Sequence, residues 1–288
     1  MTGEHEMGMS RRGFLKVGAA GVVGLGLAGL GAGAAGAAGG KRVRVGLQLY
    51  SVRGPLAKDF EGVVAQVAEM GFEGVEFAGY YGRTAEQLRK ILDKNGLVCC
   101  GSHVRGGELQ PQNLKRTIEF HKTLGNKFLI KPSGAGGRTK ESWLEAAKRF
   151  NDIAERLAPH GLYTGYHNHA AEFRPMDGSC AWEIFFRNTS ERVCHQLDTG
   201  NCMGGGGDPC KYIKMFPGRT RTIHLKEHGG PGDFGKGNVP WQEVFRLCET
   251  VGGTEWYIVE QERYKQRPPL EAAKQAADFM RQMGKLKA

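Results

Sequence analysis

Two imidazoles, an amide and a carboxylate stand within one short run, Tyr166-His167-Asn168-His169-Ala170-Ala171-Glu172-Phe173. The run follows a strand-like stretch, Leu162-Tyr163-Thr164-Gly165-Tyr166. Side chains alternate faces along a strand, so His167 and His169 share a face if the strand continues through them. Such a group serves as a metal or acid–base site, or as a satisfied polar patch. Three later apolar runs end in the same way. Cys194-His195-Gln196-Leu197-Asp198 closes on Asp198, Thr222-Ile223-His224-Leu225-Lys226 puts His224 and Lys226 on one face, and Ile258-Val259-Glu260 closes on Glu260. Carboxylates at the ends of apolar strands are costly to bury unless they are paired or bound to a cation. Two or three carboxylates with one or two imidazoles suit one divalent ion, Mn²⁺ foremost, with Co²⁺, Mg²⁺ or Zn²⁺ as alternatives.

These groups need a scaffold that brings several strand ends together. Strand-like and helix-like stretches alternate eight times. The expected strands are Val43–Tyr50, Gly74–Phe77, Leu97–Ser102, Lys127–Lys131, Leu162–His167, Val193–Asp198, Thr220–Lys226 and Trp256–Glu260. Between them lie helical patterns, among them Phe60–Met70, Thr84–Lys94 with Thr84 as N-cap, Gln112–Leu124, Lys140–Leu157, Val239–Val251 and Leu270–Met283. Eight βα units in one domain-sized stretch predict an α/β fold, a closed (β/α)8 TIM barrel. An open doubly wound sheet is disfavoured, because no G-x-G-x-x-G follows the first strand. In such a barrel the active site lies at the C-terminal strand ends, where the polar groups above fall.

The first forty residues stand apart. Ser10-Arg11-Arg12-Gly13-Phe14-Leu15-Lys16 has the form of a twin-arginine (Tat) export signal, followed by a Gly/Ala-rich run and Ala35-Gly36-Ala37 as a cleavage pattern. The expectation is a signal peptide at 1–40, a barrel at 41–288 and a periplasmic or other extracytoplasmic location. The chain would be membrane-anchored if the signal is kept. The Tat export machinery is then a partner.

Of the 288 residues, 40 are Lys or Arg and 30 are Asp or Glu; without the three basic and two acidic groups of 1–40 the balance is 37 − 28 = +9. The basic residues are scattered along predicted helices with no dense run, so no nucleic-acid partner is expected. The seven cysteines form no C-x-x-C pair, which excludes a disulfide framework or a structural zinc site of that kind.

The motifs resemble the xylose isomerase-like barrels of sugar isomerases and epimerases, a superfamily that also holds endonuclease IV. Gln196-Leu197-Asp198-Thr199-Gly200-Asn201 is similar to the family's strand-six motif, and Ile223-His224-Leu225-Lys226-Glu227 to its strand-seven motif. Gly235-Lys236-Gly237-Asn238-Val239-Pro240-Trp241 resembles its G-x-G-x-V-P/D-W turn, and Ile258-Val259-Glu260 its strand-eight glutamate. The resemblance implies a metal set of Asp198, His224 and Glu260. It also implies a strand-five glutamate that binds metal and moves a proton, but this chain has His167 at that position. Glu172 is expected to swing back as the fourth ligand, with His167 as the alternative.

The implied chemistry is abstraction of a proton beside a carbonyl, giving an enediolate. Glu260 and His167 are the candidates for proton transfer, and His103, Lys131, His169 and Lys226 for holding substrate oxygens. Glu76 and Gln48 are weaker candidates, and Trp241, Phe77 and Tyr80 fit either an apolar sugar face or the core. A metal-dependent sugar isomerase or epimerase heads the expectations. A 3-keto-glycoside β-eliminating lyase, an abasic-site endonuclease and a non-catalytic sugar-binding barrel follow. The partner is a small-molecule sugar or keto-glycoside, and a homo-oligomer is compatible with the sequence.

Overall fold

A computed structural model describes residues 42–262 and 267–287. The expected signal at 1–40 lies outside the described residues. Eight parallel strands are formed by Arg44–Gln48 (β1), Gly74–Phe77 (β2), Val98–His103 (β3), Phe128–Lys131 (β4), Tyr163–His167 (β5), Val193–Asp198 (β6), Thr222–Leu225 (β7) and Trp256–Val259 (β8). They close into a barrel in the order β1-β8-β7-β6-β5-β4-β3-β2. The principal helices that follow them are Phe60–Glu69 (α1), Ala85–Lys94 (α2), Pro111–Leu124 (α3), Lys140–Leu157 (α4), Ala181–Arg187 (α5), Pro209–Met215 (α6), Trp241–Leu247 (α7) and Pro269–Gln282 (α8). The (β/α)8 expectation is therefore met. Among the described residues no helix is long and apolar enough to cross a membrane.

Local chemistry sets the boundaries. Thr84 and Gln87 form a reciprocal capping box at the start of α2, and Thr139 accepts from the Ser142 N–H to start α4. Gly125, at φ 76°, ends α3 in the left-handed conformation that favours glycine. β1 stops at Gln48, two residues short of the expected end. The Gln48 side chain accepts from the Tyr50 N–H at 3.0 Å and turns the chain into a 3₁₀ segment, Leu49–Val52. α7 is likewise shorter than the hydrophobic period predicts and passes into a wider turn, Cys248–Gly252. A small hairpin, Pro175–Cys180, was not expected.

Strand alternation sorts the barrel into two cores. Val45, Leu47, Val75, Tyr166, Leu197, Ile223, Tyr257 and Val259 belong to the large cluster shared with the helices. Cys100, Phe128, Ile130, Cys194, Trp256 and Ile258 form a separate apolar cluster that fills the lumen. Two residues beyond Cys194 and Ile258 on the same face come Gln196 and Glu260, and two beyond Gly165 and Thr222 come His167 and His224. One pleat period thus separates an apolar lumen from a polar mouth.

The lumen tolerates little added volume. A Cβ on Gly165 would lie 2.6 Å from the Cys194 carbonyl oxygen and 2.7 Å from Ile130 Cδ1. Gly165→Ala should destabilise the barrel by about 1–3 kcal/mol through overpacking. Urea denaturation checks it; an unchanged midpoint would show that β5 and β6 can separate without cost.

On α3, buried His121 accepts from Asn126 Nδ2 at 2.9 Å through Nδ1, and burial pushes its pKa down to about 4. An unfolded histidine titrates near about 6.5, so the unfolded chain binds the proton first as pH falls. Stability from neutral His121 is full above about 6.5 and lost on descending to about 4. His121→Asn should flatten the wild-type stability curve across that window by about one proton. Parallel curves for both proteins would refute it.

Candidate metal centre and active site

Four strand ends meet at the mouth. The ligand-capable atoms of His167 (end of β5), Asp198 (end of β6), His224 (β7) and Glu260 (just past β8) all lie within 4.8 Å of one another, and all four residues are buried. His103, at the end of β3, joins His167 and His224 in an overlapping triad. Its ring stacks on His224 at 5.2 Å and lies 4.9 Å from that of His167.

Each side chain is held by its neighbours. Asp198 Oδ1 accepts from the Asn201 N–H at 2.7 Å and so caps the short helix Thr199–Gly204. Asn168 bonds the Asp198 backbone on both sides, at 2.8 and 3.2 Å. Among the described residues Asp198 Oδ2 has no hydrogen-bond partner; Lys226 Nζ lies 3.2 Å away, a charge contact without hydrogen-bond alignment. His167 Nδ1 is likewise buried without a partner. Two orphaned atoms on adjacent strands therefore belong to the same cluster.

His224 bridges two carboxylates, Glu260 through Nδ1 at 3.0 Å and Glu76 through Nε2 at 2.5 Å. Glu76 has no exposed surface. It also accepts from Gln48 Nε2 at 2.7 Å and Gln196 Nε2 at 2.8 Å, while Gln196 Oε1 pairs with His103 Nε2 at 2.9 Å. Glu76 is the organising anion of the mouth, although the sequence ranked it low. The available signal was glutamine and glutamate at lumen-facing positions of otherwise apolar strands.

Burial opposes charge on His224, but Glu76 and Glu260 outweigh it and hold the imidazolium pKa up at about 10. Burial likewise works against the Glu260 carboxylate, yet Lys226 and His224 hold it well below the usual carboxylate range. His167 goes the other way: burial, with His224 and His103 nearby, keeps it neutral. Burial also pushes Asp198 up, against Lys226. Four carboxylates, Glu76, Asp198, Glu260 and Glu262, thus gather around two cations, His224 and Lys226. A buried anionic excess with two unpaired ligand atoms fits a divalent ion held by His167, Asp198, His224 and Glu260.

The remaining candidates separate. Glu172 does not join the cluster: its carboxylate accepts from the Tyr166 hydroxyl at 2.7 Å and the His169 N–H at 2.9 Å. It caps the 3₁₀ turn Ala170–Phe173 and is committed there. β5 ends at His167, so the expected alternation onto His169 fails; His169 is exposed at the rim. Lys226 is tied to Glu262 at 2.7 Å, Glu260 at 3.1 Å and Asp198, which leaves little of its ammonium for substrate. Phe77 lies in the core, and Trp241 donates Nε1–H to Glu227 at 3.0 Å. Glu227, missed by the sequence reading, also accepts from the N–H groups of His228 and Gly235, which folds the glycine-rich turn around one buried carboxylate.

A cleft of about 1090 Å³ opens above the cluster. Its lining includes His103, His167, Lys226 and Glu260 at the cluster, His169 and Glu262 beside it, and Tyr50, Tyr80, Tyr81 and Lys131 from the loops and strand ends of the first half. It is slightly larger than the roughly 300–1,000 Å³ typical of small-molecule sites.

Residues 64–283 match the model of the xylose isomerase-like TIM barrel family. The chain belongs to that family. Inosose dehydratase of Klebsiella pneumoniae (strain 342) is 23% identical over 269 residues, covering 77% of this chain and 89% of that one. A sugar phosphate isomerase/epimerase structure from Parabacteroides distasonis superposes with a TM-score of 0.74 at 24% identity, over 87% of this chain and 98% of that one. The IolI protein, whose crystal structure holds a zinc atom, gives a TM-score of 0.62 at 12% identity, over 85% of this chain and the whole of that one. These structural likenesses establish the shared barrel.

Removing the organising anion should be expensive. Glu76→Ala leaves the His224, Gln48 and Gln196 donors unpaired in a dry site, and a loss of about 3–5 kcal/mol is expected. Glu76→Gln should cost less, because one acceptor oxygen remains. Equal denaturation midpoints for wild type and Glu76→Ala would show that the network does not depend on this carboxylate.

Proposed function

We propose that this barrel is a divalent-metal-dependent enzyme that removes the proton beside the carbonyl of a polyhydroxylated ketone and then expels a β-oxygen substituent. The observation that carries this reading is the buried set of His167, Asp198, His224 and Glu260 with two orphaned ligand atoms beneath a wide cleft. When bound, a divalent ion would acidify the C–H next to a carbonyl and stabilise the resulting enolate.

The chain's own residues do the rest. The contacts that Glu260 makes with His224 and Lys226 both fall on Oε2, so Oε1 is the oxygen left to accept the substrate proton. Lys226 and His224 keep that carboxylate ionised. Glu76 fixes the ring of His224 through Nε2, and Nδ1 on the Glu260 side would serve as the ligand atom once a bound ion displaces its proton. His167 remains a neutral donor of its Nδ1 lone pair because burial and the neighbouring imidazoles keep a proton off it. Tyr50 and Tyr81 on the far wall offer apolar faces to a sugar ring.

Elimination is favoured over epimerisation by the strand-five residue. Inverting one carbon requires proton transfer on both faces, and His167 stands where a second carboxylate would be needed. Relatives matched over most of their length are inosose dehydratases, which supports loss of water from a cyclic polyhydroxy ketone. Aldose–ketose isomerisation or epimerisation is the second reading, favoured by the likeness to the sugar phosphate isomerase/epimerase. The proposal includes export of the folded enzyme through its twin-arginine segment to meet its substrate outside the cytoplasm.

Purified protein with Mn²⁺ is to be incubated with an inosose in D2O and followed by NMR and mass spectrometry. The proposed enzyme exchanges the proton α to the carbonyl and forms a product lighter by one water. A deuterated isomer of unchanged composition would move the assignment to epimerase or isomerase. Absence of exchange with an inosose and with a panel of keto-sugars would overturn the reading. In metal analysis of the same preparations, His167→Ala and Asp198→Ala should lose the ion at least tenfold more readily than wild type, and Glu172→Ala should retain it. Loss in Glu172→Ala alone would overturn the ligand assignment.

A further inference from the structure

Outside the candidate centre, one group of cations lacks a counter-charge, and the phase of β4 accounts for its place. Phe128 and Ile130 belong to the lumen cluster, so Leu129 faces the helices, where it joins Leu109, Leu114 and Leu157 in a separate apolar cluster. Lys131 comes two residues later on that same helix-facing side. It lines a second cavity, of about 330 Å³, bounded by the start of α3 and the middle of α4. Lys131 and Gly106 line both this cavity and the cleft above the centre, so the two spaces adjoin.

The lining combines apolar side chains with an excess of positive charge. Leu109, Leu114, Phe150 and Ile153 supply the apolar part. Lys131, Arg149 and Arg156 supply three cations against one acid, Asp152. Arg149, Asp152 and Arg156 follow one another at three and four residues along α4, the spacing at which helix side chains are neighbours. Among the described residues, however, Asp152 pairs with neither arginine, and neither Arg156 nor the Lys131 ammonium has an ion pair or hydrogen bond. Arg149 donates one N–H to the Ala135 carbonyl oxygen at 2.9 Å, and Ala135 is itself part of the cavity wall. Burial lowers the pKa of Lys131 from the usual lysine value, the like charge of Arg149 lowers it further, and no carboxylate acts in the opposite direction. Two cations that repel each other beside an apolar wall are relieved by an anion placed between them.

We propose that this cavity binds a small aromatic carboxylate, its ring against Leu114 and Phe150 and its carboxylate between Lys131 and Arg149. Its volume of about 330 Å³ is at the lower end of the roughly 300–1,000 Å³ of small-molecule sites. An inorganic anion would leave the apolar wall unused, and a neutral ring would leave the cations unpaired. The planar guanidinium of Arg149 keeps N–H groups beyond the one given to Ala135, in the fork geometry that suits a carboxylate. Arg156 stands seven residues on, about 10 Å along the helix, and adds attraction rather than a direct contact. Such an acid has two sources: a free aromatic acid, or an acid-bearing substituent of a sugar whose ring occupies the adjoining cleft. Only the second source rests on the elimination reading above.

Calorimetry on the wild-type protein uses three probes: benzoate, benzyl alcohol and acetate. Benzoate should bind at least about tenfold more tightly than either of the others. Lys131→Gln and Arg149→Gln should each weaken it at least about tenfold, and Arg156→Gln by less than about threefold. Arg149 lines the cavity and not the cleft, so its variant locates the bound acid. A loss confined to Lys131→Gln would put benzoate in the cleft and overturn the assignment, as would equal affinity for benzoate and benzyl alcohol. A 4-carboxyphenyl 3-keto-glucoside and its phenyl counterpart, turned over by the Mn²⁺-loaded protein, distinguish the two sources. For an acid carried by the substrate, the carboxylate lowers KM, Arg149→Gln cancels that difference and benzoate competes with the glucoside. For a free acid, the two glucosides give equal KM and benzoate binds unchanged at saturating glucoside. Glucosides that fail to react while benzoate still binds would overturn the elimination reading and leave this assignment standing.

Discussion

A carboxylate sealed from solvent governs the mouth of this barrel. Glu76 on β2 receives Gln48 from β1, Gln196 from β6 and His224 from β7, and it lies 3.3 Å from His103 of β3. An ionised group in so dry a place survives only when its lone pairs are filled by donors, and here they are. The same bonds fix the ring plane of His224, align Gln196 to hold His103, and set where Glu260 can lie. The geometry of the candidate centre therefore begins on a residue that is not itself a candidate ligand.

Charge explains why the centre suits a cation. Four acidic groups converge on one protonated imidazole and one ammonium, and the carboxylate least well served, Asp198, responds by drifting toward protonation. The candidate metal ligands come from β5 to β8, while most of the cleft wall comes from the loops after β1 to β4. This division gives the mouth a charged side and a broader, loop-built side, which closed parallel barrels permit because every strand ends on the same rim. The apolar lumen beneath keeps water away from the floor and so strengthens each of these interactions.

Much of this was legible in the chain. The alternation of strand and helix periods, the Thr84 cap and the glycine closing α3 act over a few residues, so their outcome follows from local sequence. Asp198, His224 and Glu260 were legible for a related reason: polar residues ending apolar strands are anomalous anywhere in the sequence. Where expectation and structure part, a short-range competitor decided. Glu172 turns back onto the His169 N–H three residues earlier, a capping arrangement that outcompetes a reach toward the cluster. β5 gives way to a turn after His167, which breaks the two-residue period that would have paired it with His169. Lys226, expected to be free for substrate, is drawn in by Asp198, Glu260 and Glu262.

By itself the sequence determined the barrel and pointed to the rim where Asp198, His224 and Glu260 gather, with His167 as the alternative to Glu172, because these depend on periodicity and on the cost of burying charge. Tertiary structure alone decided the partnerships. Glu76 and His224 are 148 residues apart, and Gln196 and Glu76 are 120 apart. No local pattern encodes which of several buried polar groups will meet once eight strands close. Barrel closure sets those distances, and with them which carboxylates are saturated and which imidazole is charged.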